Sequence, residues 1–447
     1  MFKKTGFLFL ILALAGCSYD RMPEPEEELR EFRGEVVWIR SFGGSGDDTP
    51  RSVVETLDRG FAVLGYSKST DGDLQGKSTQ VNDYWLLKTD RNGDAIWSRT
   101  YGGSMDDRGQ AVIQTSDGGF SVTGYSMSSD GDASNNEGFH DNWVLRLDGL
   151  GNLLWEQSFG FSGHDHSYDL VETPEGGLFF TGFLDITSAR ADGYTEKHAS
   201  LTRHGVGEFW GTKLDSGGDI EWRSYFGGTN NDRAHAVARA HDGGYVMAGF
   251  SESDDFDISD PRGSYDFWVV KVSETGELAW QHSYGGTEID IANDVAQTRD
   301  GGYVITGSTF SADGDVSASH GGSDAWVIKT DAQGQLLWER TYGGSAFEAA
   351  EAICPTLDGG YVIVGNSRST DQDVSTNAGE NDLWIFKVDS HGQLLWEQAL
   401  GGTDLEFGFD VLETSDGAII VVGETASTDL FPLENRGGTD LIMVRIE

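Results

Sequence analysis

Residues 300–345 read DGGYVITGSTFSADGDVSASHGGSDAWVIKTDAQGQLLWERTYGGS, and this stretch contains the pattern that decides the fold. The segments YVITGST and AWVIKTD are rich in β-branched and aromatic residues and predict two β-strands, and LLWERTY predicts another. The turns RDGG at 299–302 and DAQG at 331–334 supply glycine where a hairpin needs a positive φ. With NDVAQT at 293–298 in front, the sequence predicts a unit of four short antiparallel strands.

The same unit recurs along the chain after residue 35. In most units a Trp is followed by an aromatic residue and two glycines, and the spacing between these Trp residues is 58 or 59 residues, except for one spacing of 67. A fixed long period built from four short strands is typical of the blades of a β-propeller. The marker residues are Trp38, Trp97, Trp155, Trp222, Trp280, Trp338 and Trp396.

The two ends of the chain predict how the ring closes. The last unit stops after its third strand, DLIMVRIE at 440–447, and a strand of the missing type, EVVWIRSFGG, begins at Glu35. Pairing of these two segments would complete seven four-stranded blades and cover the open sheet edges. An open solenoid would need capping repeats, and neither end resembles one. We therefore predict an all-β, seven-bladed propeller over residues 35–447, with the N-terminal strand at the rim of the last blade.

The repeat pattern YGGS..D....V..T.DGGY.V.G.S.S.D.D......G..D.WV.K.D..G.L.W resembles a bacterial seven-bladed β-propeller repeat called SBBP. The stretch STDLFPLENRGGTDLIMVRI at 427–446 is the most similar part, and the resemblance covers nearly all of residues 35–447. It implies the propeller fold and an exported bacterial protein, and it implies almost nothing about chemistry.

The N-terminus predicts export and lipid attachment. Lys3 and Lys4 precede a short apolar segment at 5–15, as in a cleaved signal peptide. LAGC at 14–17 resembles the lipobox of bacterial lipoproteins, in which the Cys is lipidated. That resemblance implies a signal peptide at 1–16 and an acidic tether at 17–34 that Cys17 attaches to the membrane. Because Ser18 is not the Asp that retains enterobacterial lipoproteins at the inner membrane, we expect an outer-membrane location, on its periplasmic or surface side. A plain secretory signal with a chance Cys is the alternative.

The charge of the chain excludes one class of partner. It contains 31 Lys and Arg against 74 Asp and Glu, a net charge of -43. Nucleic-acid binding needs a basic surface, so we expect no nucleic-acid partner.

A long loop between the second and third strands of most units carries two Asp residues. With an acid at the start of the third strand, such as Asp324, each loop offers the oxygen ligands that Ca²⁺ prefers, which makes calcium a predicted cofactor. The spacing is not that of an EF-hand, and the alternative is that Asp side chains stabilise these turns through amides of their own loop. Strand order places these loops and the crossings between blades on one face, the loop face, where we expect binding. The pairs are Asp71 and Asp73, Asp130 and Asp132, Asp255 and Asp257, Asp313 and Asp315, and Asp371 and Asp373.

The third unit is irregular. Its crossing reads FGFSGHDHSYD at 159–169, and an insertion lengthens the loop before its third strand. Imidazole and carboxylate ligands on two loops of one face would suit a transition metal; solvated histidines on an insertion are the alternative. The candidate ligands are His164, Asp165, His166, His198 and His204.

The sequence contains no Ser-His-Asp, nucleophile-elbow or zinc-protease motif. Glycoside hydrolysis needs one unique pair of carboxylates, whereas the acids of this sequence recur in every unit and would form several equivalent pairs. We therefore predict a non-catalytic lipoprotein of the envelope or cell surface, a monomeric ring whose loop face binds a protein or glycan partner. Two alternatives remain: an extracellular hydrolase or lyase with its site near the third unit, and a purely structural spacer of the envelope.

Overall fold

The computed structural model describes residues 32–136, 138–161, 163–184, 207–430, 433 and 435–447. Within these ranges seven four-stranded antiparallel sheets follow one another, and the first complete blade packs against the last. The predicted all-β, seven-bladed propeller is confirmed. Cys17, His198 and His204 lie outside the described residues, as do the predicted signal peptide and most of the tether.

The strands, numbered in chain order, run from the channel to the rim in each complete blade. The N-terminal strand β1 (Val36–Phe42) precedes blade 1, and a short 3-10 helix at Gly72–Leu74 is the one helix in the described residues. None of the described helical structure is long and apolar enough to cross a membrane. The blades are blade 1, β2 (Asp48–Glu55), β3 (Phe61–Ser67), β4 (Asp83–Thr89) and β5 (Ala95–Tyr101); blade 2, β6 (Asp107–Gln114), β7 (Phe120–Ser126), β8 (Asp141–Leu147) and β9 (Leu153–Phe159); blade 3, β10 (Asp165–Glu172), β11 (Leu178–Leu184), β12 (Glu208–Leu214) and β13 (Ile220–Phe226); blade 4, β14 (Asp232–Arg239), β15 (Tyr245–Ser251), β16 (Asp266–Val272) and β17 (Leu278–Tyr284); blade 5, β18 (Asp290–Gln297), β19 (Tyr303–Thr309), β20 (Asp324–Thr330) and β21 (Leu336–Tyr342); blade 6, β22 (Glu348–Pro355), β23 (Tyr361–Ser367), β24 (Asp382–Val388) and β25 (Leu394–Leu400); and blade 7, β26 (Glu406–Glu413), β27 (Ile419–Thr425) and β28 (Asp440–Ile446).

The N-terminal strand completes blade 7, as the sequence predicts. β1 pairs antiparallel with β28, from Val36 opposite Ile446 to Phe42 opposite Leu441, and the sheet order is β1-β28-β27-β26. Contact with the rim begins before β1, because the ring of Phe32 lies 5.3 Å from that of Trp396. The first and last strands, β1 and β28, therefore pair with each other to close the ring.

The hydrophobic core lies between neighbouring blades. Trp326 in β20 is fully buried, and its ring centroid is 4.5 Å from that of Phe267 in blade 4. Its Nε1 donates to Glu339 Oε2 at 3.0 Å, so the polar end of the indole is satisfied. The equivalent residues Trp85, Trp143, Trp210, Trp268 and Trp384 are also fully buried.

The rim tryptophans that mark the repeat contact the next blade. Trp338 in β21 is half-buried, and its Nε1 donates to the carbonyl oxygen of Ser390 at 3.2 Å. Beside it, the Tyr342 hydroxyl donates to the carbonyl oxygen of Gly392 at 2.7 Å. Gly392 has a φ of +76°, and an ideal Cβ there would lie 3.0 Å from Cζ3 of Trp338, so the turn requires glycine. The period of the sequence is thus the spacing of these blade-to-blade contacts.

Replacing Trp326 with alanine is expected to lower the free energy of unfolding by about 3 to 5 kcal/mol, because the change opens a cavity between blades 4 and 5. Trp338→Ala is the matched control at the half-buried rim position and is expected to cost less. Urea denaturation followed by circular dichroism measures both. Equal losses in the two variants would contradict this assignment of the core.

Candidate binding site at the channel mouth

Every inner strand carries a β-bulge at its fourth residue. A bulge takes a side chain out of the regular pairing and re-aims it. The seven bulged residues line one cavity of about 340 Å³ on the ring axis, together with Tyr125. They are Arg51, Gln110, Tyr168, His235, Asn293, Glu351 and Phe409, and we call them the collar.

The collar differs in every blade, although its surroundings repeat. Three positions before the collar, the first residue of each inner strand is Asp in five blades and Glu in two. At the collar itself, by contrast, the ring presents cationic, anionic, amide, aromatic and imidazole groups around one axis. Sequence analysis missed these residues, although a column that varies among otherwise similar units was the signal that could have found them.

Arg51 supplies a cation to the collar. Its Cζ lies 4.5 Å from the ring centroid of Phe409, within cation-π range, and its Nη2 donates to the Tyr66 hydroxyl at 3.3 Å. Its Nε is buried without a hydrogen-bond partner. Burial raises the pKa of Glu351 in the same collar, and the charge of Arg51 partly offsets that shift. Arg51 therefore places a positive charge among the residues that line the cavity.

Two further arginines lie two positions before the collar, on the same side of their strands. Arg108 donates from Nε to Asp106 Oδ2 at 2.7 Å. Arg233 donates from Nε to the neutral Asn231 Oδ1 at 3.0 Å, and its Cζ lies 4.3 Å from the ring centroid of Phe183. The loop-face mouth of a strongly acidic protein is therefore lined by arginine and aromatic side chains.

Three histidines meet at the junction of blades 2 and 3, beside this mouth. His140 precedes β8, His164 lies in the crossing, and His166 is the second residue of β10. His140 Nδ1 is 2.9 Å from His166 Nε2 and 3.1 Å from His164 Nδ1. Burial lowers the pKa of His140 to about 4 and that of His166 to about 2, and repulsion from the neighbouring imidazoles adds to both shifts. Both rings are therefore neutral at pH 7.

Two tyrosines connect the histidines to the channel. The Tyr168 hydroxyl lies 3.3 Å from His166 Nδ1, and the ring of Tyr125 stacks on that of His166 with centroids 3.9 Å apart. Both tyrosines line the 340 Å³ cavity. The histidine cluster and the collar therefore form one continuous surface.

The structure brings together only part of the metal set predicted for the third unit. His164 and His166 lie in the cluster, with His140, which sequence analysis did not single out. Asp165 is fully buried, and its Oδ2 accepts the backbone N–H of Phe161 at 2.5 Å, so it holds the crossing. His198 and His204 lie outside the described residues.

The Asp pairs predicted to bind calcium accept backbone amides from the preceding crossing. In blade 5, Asp313 Oδ1 accepts the N–H of Thr287 at 2.8 Å, and Asp315 Oδ2 accepts that of Gly285 at 3.3 Å. These amides lie 26 and 30 residues earlier in the chain. The turn interpretation was therefore wrong in one respect, because it placed the partner amides in the same loop as the Asp residues. The last unit continues the series with Asp429. The same two contacts are made by Asp71 and Asp73, Asp130 and Asp132, Asp255 and Asp257, and Asp371 and Asp373.

Asp324, the third acid of that set, faces a second carboxylate. Its Oδ2 accepts the N–H of His320 at 2.7 Å, and its Oδ1 is buried without a hydrogen-bond partner. An ideal Cβ on Gly343 would lie 3.0 Å from this Oδ1 and 2.7 Å from Glu348 Oε2, so the two oxygens face each other across the glycine. Burial raises the pKa of Asp324, and Glu348 adds to the shift. A proton on Asp324 or a bound cation would relieve the repulsion between Asp324 and Glu348. Calcium binding by these loops stays a prediction.

Three more carboxylates lie along the channel, directly after collar residues. Asp169, Asp294 and Asp410 each accept a backbone N–H from the next inner strand, at 2.8, 2.8 and 2.7 Å. Burial raises their pKa values to about 8, about 6 and about 7, and mutual repulsion adds to the shifts of Asp169 and Asp410. These residues are half-buried on the inner strands, where their carboxylates are enclosed by protein, and this accounts for the strong desolvation.

Comparison with known proteins supports no specific activity. No family model matches the chain. The regulatory protein FlaEY of Caulobacter vibrioides is 23% identical over 274 residues, which is 59% of this chain and 27% of that protein, so the chain matches about a quarter of that relative's length. Among solved structures, the WD40 domain of Neurospora crassa Pan2 has a TM-score of 0.48 at 11% identity and covers 93% of this chain and 97% of its own. A protein of unknown function from Bacteroides caccae has a TM-score of 0.39 at 10% identity, covering 75% and 93%.

Stability is expected to fall as the pH rises from 6.5 to 8.5. Asp169 and Asp410 have folded-state pKa values above the ordinary value, so the folded protein holds protons that the unfolded chain has released. Their stabilising contribution is complete below the unfolded-state pKa of about 4, falls above it by up to about 1.4 kcal/mol per pH unit for each proton, and is fully lost once the pH has risen through about 7 for Asp410 and about 8 for Asp169. Thermal unfolding across this range measures the slope, and Asp169→Asn should flatten it. Parallel curves for the two proteins would show that Asp169 is already ionised.

Proposed function

We propose that this protein is a non-catalytic binding protein of the bacterial envelope, whose propeller holds a ligand with anionic groups at the loop-face mouth of the channel. The observation that carries this proposal is the collar, in which one repeat position bears seven different side chains. Packing between equivalent blades does not require such variation. Recognition of one asymmetric ligand on the ring axis does.

The chemistry of the mouth supports an anionic ligand. Arg51 and Arg233 hydrogen-bond neutral partners. Glu351 and Glu424 act on the charge of Arg51, whereas the bond from Arg233 goes to an uncharged amide oxygen, so Arg233 is the residue chosen for the test. Guanidinium groups bind carboxylate and sulfate oxygens through two parallel N–H donors. The neighbouring rings of Tyr66, Tyr125 and Phe183 offer flat surfaces for a sugar ring or an apolar side chain.

The size of the cavity supports recognition of an end or a segment of a larger partner. A volume of about 340 Å³ is near the lower limit of ligand pockets, roughly 300 to 1,000 Å³. It is sufficient for one sugar residue or one to two amino-acid side chains. An acidic glycan and an acidic peptide of another envelope protein both fit these requirements, and the protein or glycan partner predicted from the sequence belongs to these classes.

Arg233→Gln is expected to weaken binding of an acidic ligand about 10- to 100-fold, because hydrogen bonds to charged groups contribute about 1.5 to 3 kcal/mol. Calorimetric titration with oligogalacturonate and a Glu-rich peptide tests the two ligand classes, with a neutral galacto-oligosaccharide and a Gln-rich peptide as their uncharged counterparts.

Arg239→Gln is the matched control, since Arg239 is exposed at the opposite end of the same strand, β14. It should leave the affinity unchanged. Equal affinity for acidic and neutral ligands, or an equal loss in both variants, would argue that the mouth does not select anions.

The membrane attachment implied by LAGC is part of the same proposal. Cys17→Ser is expected to abolish incorporation of labelled palmitate in the bacterial host and to move the protein from the detergent phase to the aqueous phase of a Triton X-114 extraction, because the thiol is the acceptor for the lipid. Leu14→Ala, within the same segment, should retain at least part of the label. Undiminished labelling of the Cys17→Ser variant would exclude Cys17 as the site of lipidation.

A further inference from the structure

We propose that His140, His164 and His166 together bind one divalent transition-metal ion, with zinc as the expected metal. The proposal is independent of the anionic ligand, because it rests on the geometry of three side chains that do not belong to the collar. In the part of the chain that the structure describes, this is the one group of three His, Cys, Asp or Glu residues found whose ligand atoms all lie within 4.8 Å of one another.

The nitrogen positions fit tetrahedral coordination. Zinc binds imidazole nitrogen at about 2.0 to 2.1 Å, which places two nitrogens of a tetrahedral site about 3.3 to 3.4 Å apart. His140 Nδ1 lies 2.9 Å from His166 Nε2 and 3.1 Å from His164 Nδ1, and ligand atoms of all three residues lie within 4.8 Å of one another. Rotation of the rings, chiefly that of the exposed His164, would bring three nitrogens to coordination distance. Three protein ligands leave a fourth position for water or an external ligand.

The proton inventory of the cluster also favours an ion. A neutral imidazole carries one N–H, so His140 Nδ1 can donate to only one of the two ring nitrogens that lie within hydrogen-bond distance of it. A metal ion would instead accept the lone pairs of all three nitrogens.

The backbone that gathers these residues is present at other junctions, but the side chains differ. An isolated parallel bridge joins His140 to His164, and the same bridge joins Tyr265 to Ile289 at the junction of blades 4 and 5. At the latter junction the residue corresponding to His166 is Ile291. The repeat therefore supplies the geometry, and this junction alone among the described ones supplies three imidazoles.

The junction of blades 1 and 2 shows that these three positions operate as one unit. There the corresponding residues are Asn82, Asp106 and Arg108, and Asp106 accepts from Asn82 Nδ2 at 2.6 Å and from Arg108 Nε at 2.7 Å. At this junction all three side chains are joined by hydrogen bonds. At the junction of blades 2 and 3, three imidazole nitrogens lie close together and cannot all be satisfied by hydrogen bonds. There, a metal ion would join the three side chains in the corresponding way.

The surroundings of His166 are those of an oriented ligand. Metal-bound histidine usually makes a hydrogen bond through its second ring nitrogen, which fixes the ring. His166 has the Tyr168 hydroxyl at 3.3 Å from Nδ1 and the stacked ring of Tyr125 on one face, and it would coordinate through Nε2. His164 is exposed, so an ion can enter from the loop face.

Zinc titration of the untagged, chelator-treated protein tests the proposal. We expect one Zn²⁺ per chain by calorimetry, and a visible absorption band when Co²⁺ is used as a spectroscopic replacement. His140→Ala and His164→Ala should each weaken Zn²⁺ binding at least tenfold. Because His164 is exposed, His164→Ala should retain the thermal stability of the metal-free protein, which separates a lost ligand from a lost fold.

His391→Ala is the control, since His391 is exposed on the turn after β24. It should bind Zn²⁺ and Co²⁺ as the unaltered protein does. Failure of the unaltered protein to bind one Zn²⁺, or unchanged Zn²⁺ affinity in His164→Ala, would overturn the assignment. Loss of anion binding in the Arg233→Gln variant with Zn²⁺ binding retained would show that the two sites are separate.

Discussion

A buried carboxylate at the start of each inner strand holds the crossing that delivers the chain to the next blade. Asp290 is fully buried; it accepts the N–H of Gly286 at 2.8 Å, the hydroxyl of Ser311 at 3.0 Å and the hydroxyl of Thr309. An unpaired buried carboxylate would be costly, so the crossing must adopt the one conformation that supplies these donors. Because this arrangement recurs from blade to blade, every inner strand begins at the same place, and the regular spacing of the ring follows from it.

Much of this architecture could be predicted because its signals are local. Glycine turns, β-branched strands and a repeated Trp specify each blade within one unit of sequence. The partners of the loop Asp residues could not be predicted, since Asp313 binds an amide 26 residues away and that contact exists only after the blade has formed. Likewise, Trp326 and Trp338 look equivalent in sequence, but only the first is fully buried between blades.

Residues of the candidate site could be predicted from the sequence only where one unit departs from the repeat pattern. His164 and His166 drew attention because they stand in an irregular crossing, and both belong to the histidine cluster. His140 lies 24 residues before His164 and reaches it through a parallel bridge between blades. The collar escaped notice for the opposite reason: each residue is ordinary within its own unit. Only the ring brings the seven together, and two of them, His235 and Asn293, also donate to carbonyl oxygens of the next blade.

An anion site in a chain of net charge -43 requires that near charges outweigh distant ones. Strands lie about 4.8 Å apart, so a four-stranded blade extends about 14 Å from the channel to the rim. At 0.1 M salt the Debye length is about 10 Å, so the acids of the outer strands and turns are largely screened from a ligand on the axis. Arg51 and Arg233, in contrast, would touch that ligand. An ion held by the adjacent histidines would add positive charge within the same mouth, because Tyr125 and Tyr168 contact His166 and line the cavity together with the collar. An acidic exterior and arginines at the mouth are therefore compatible, because the width of the blades separates the outer acids from the ligand.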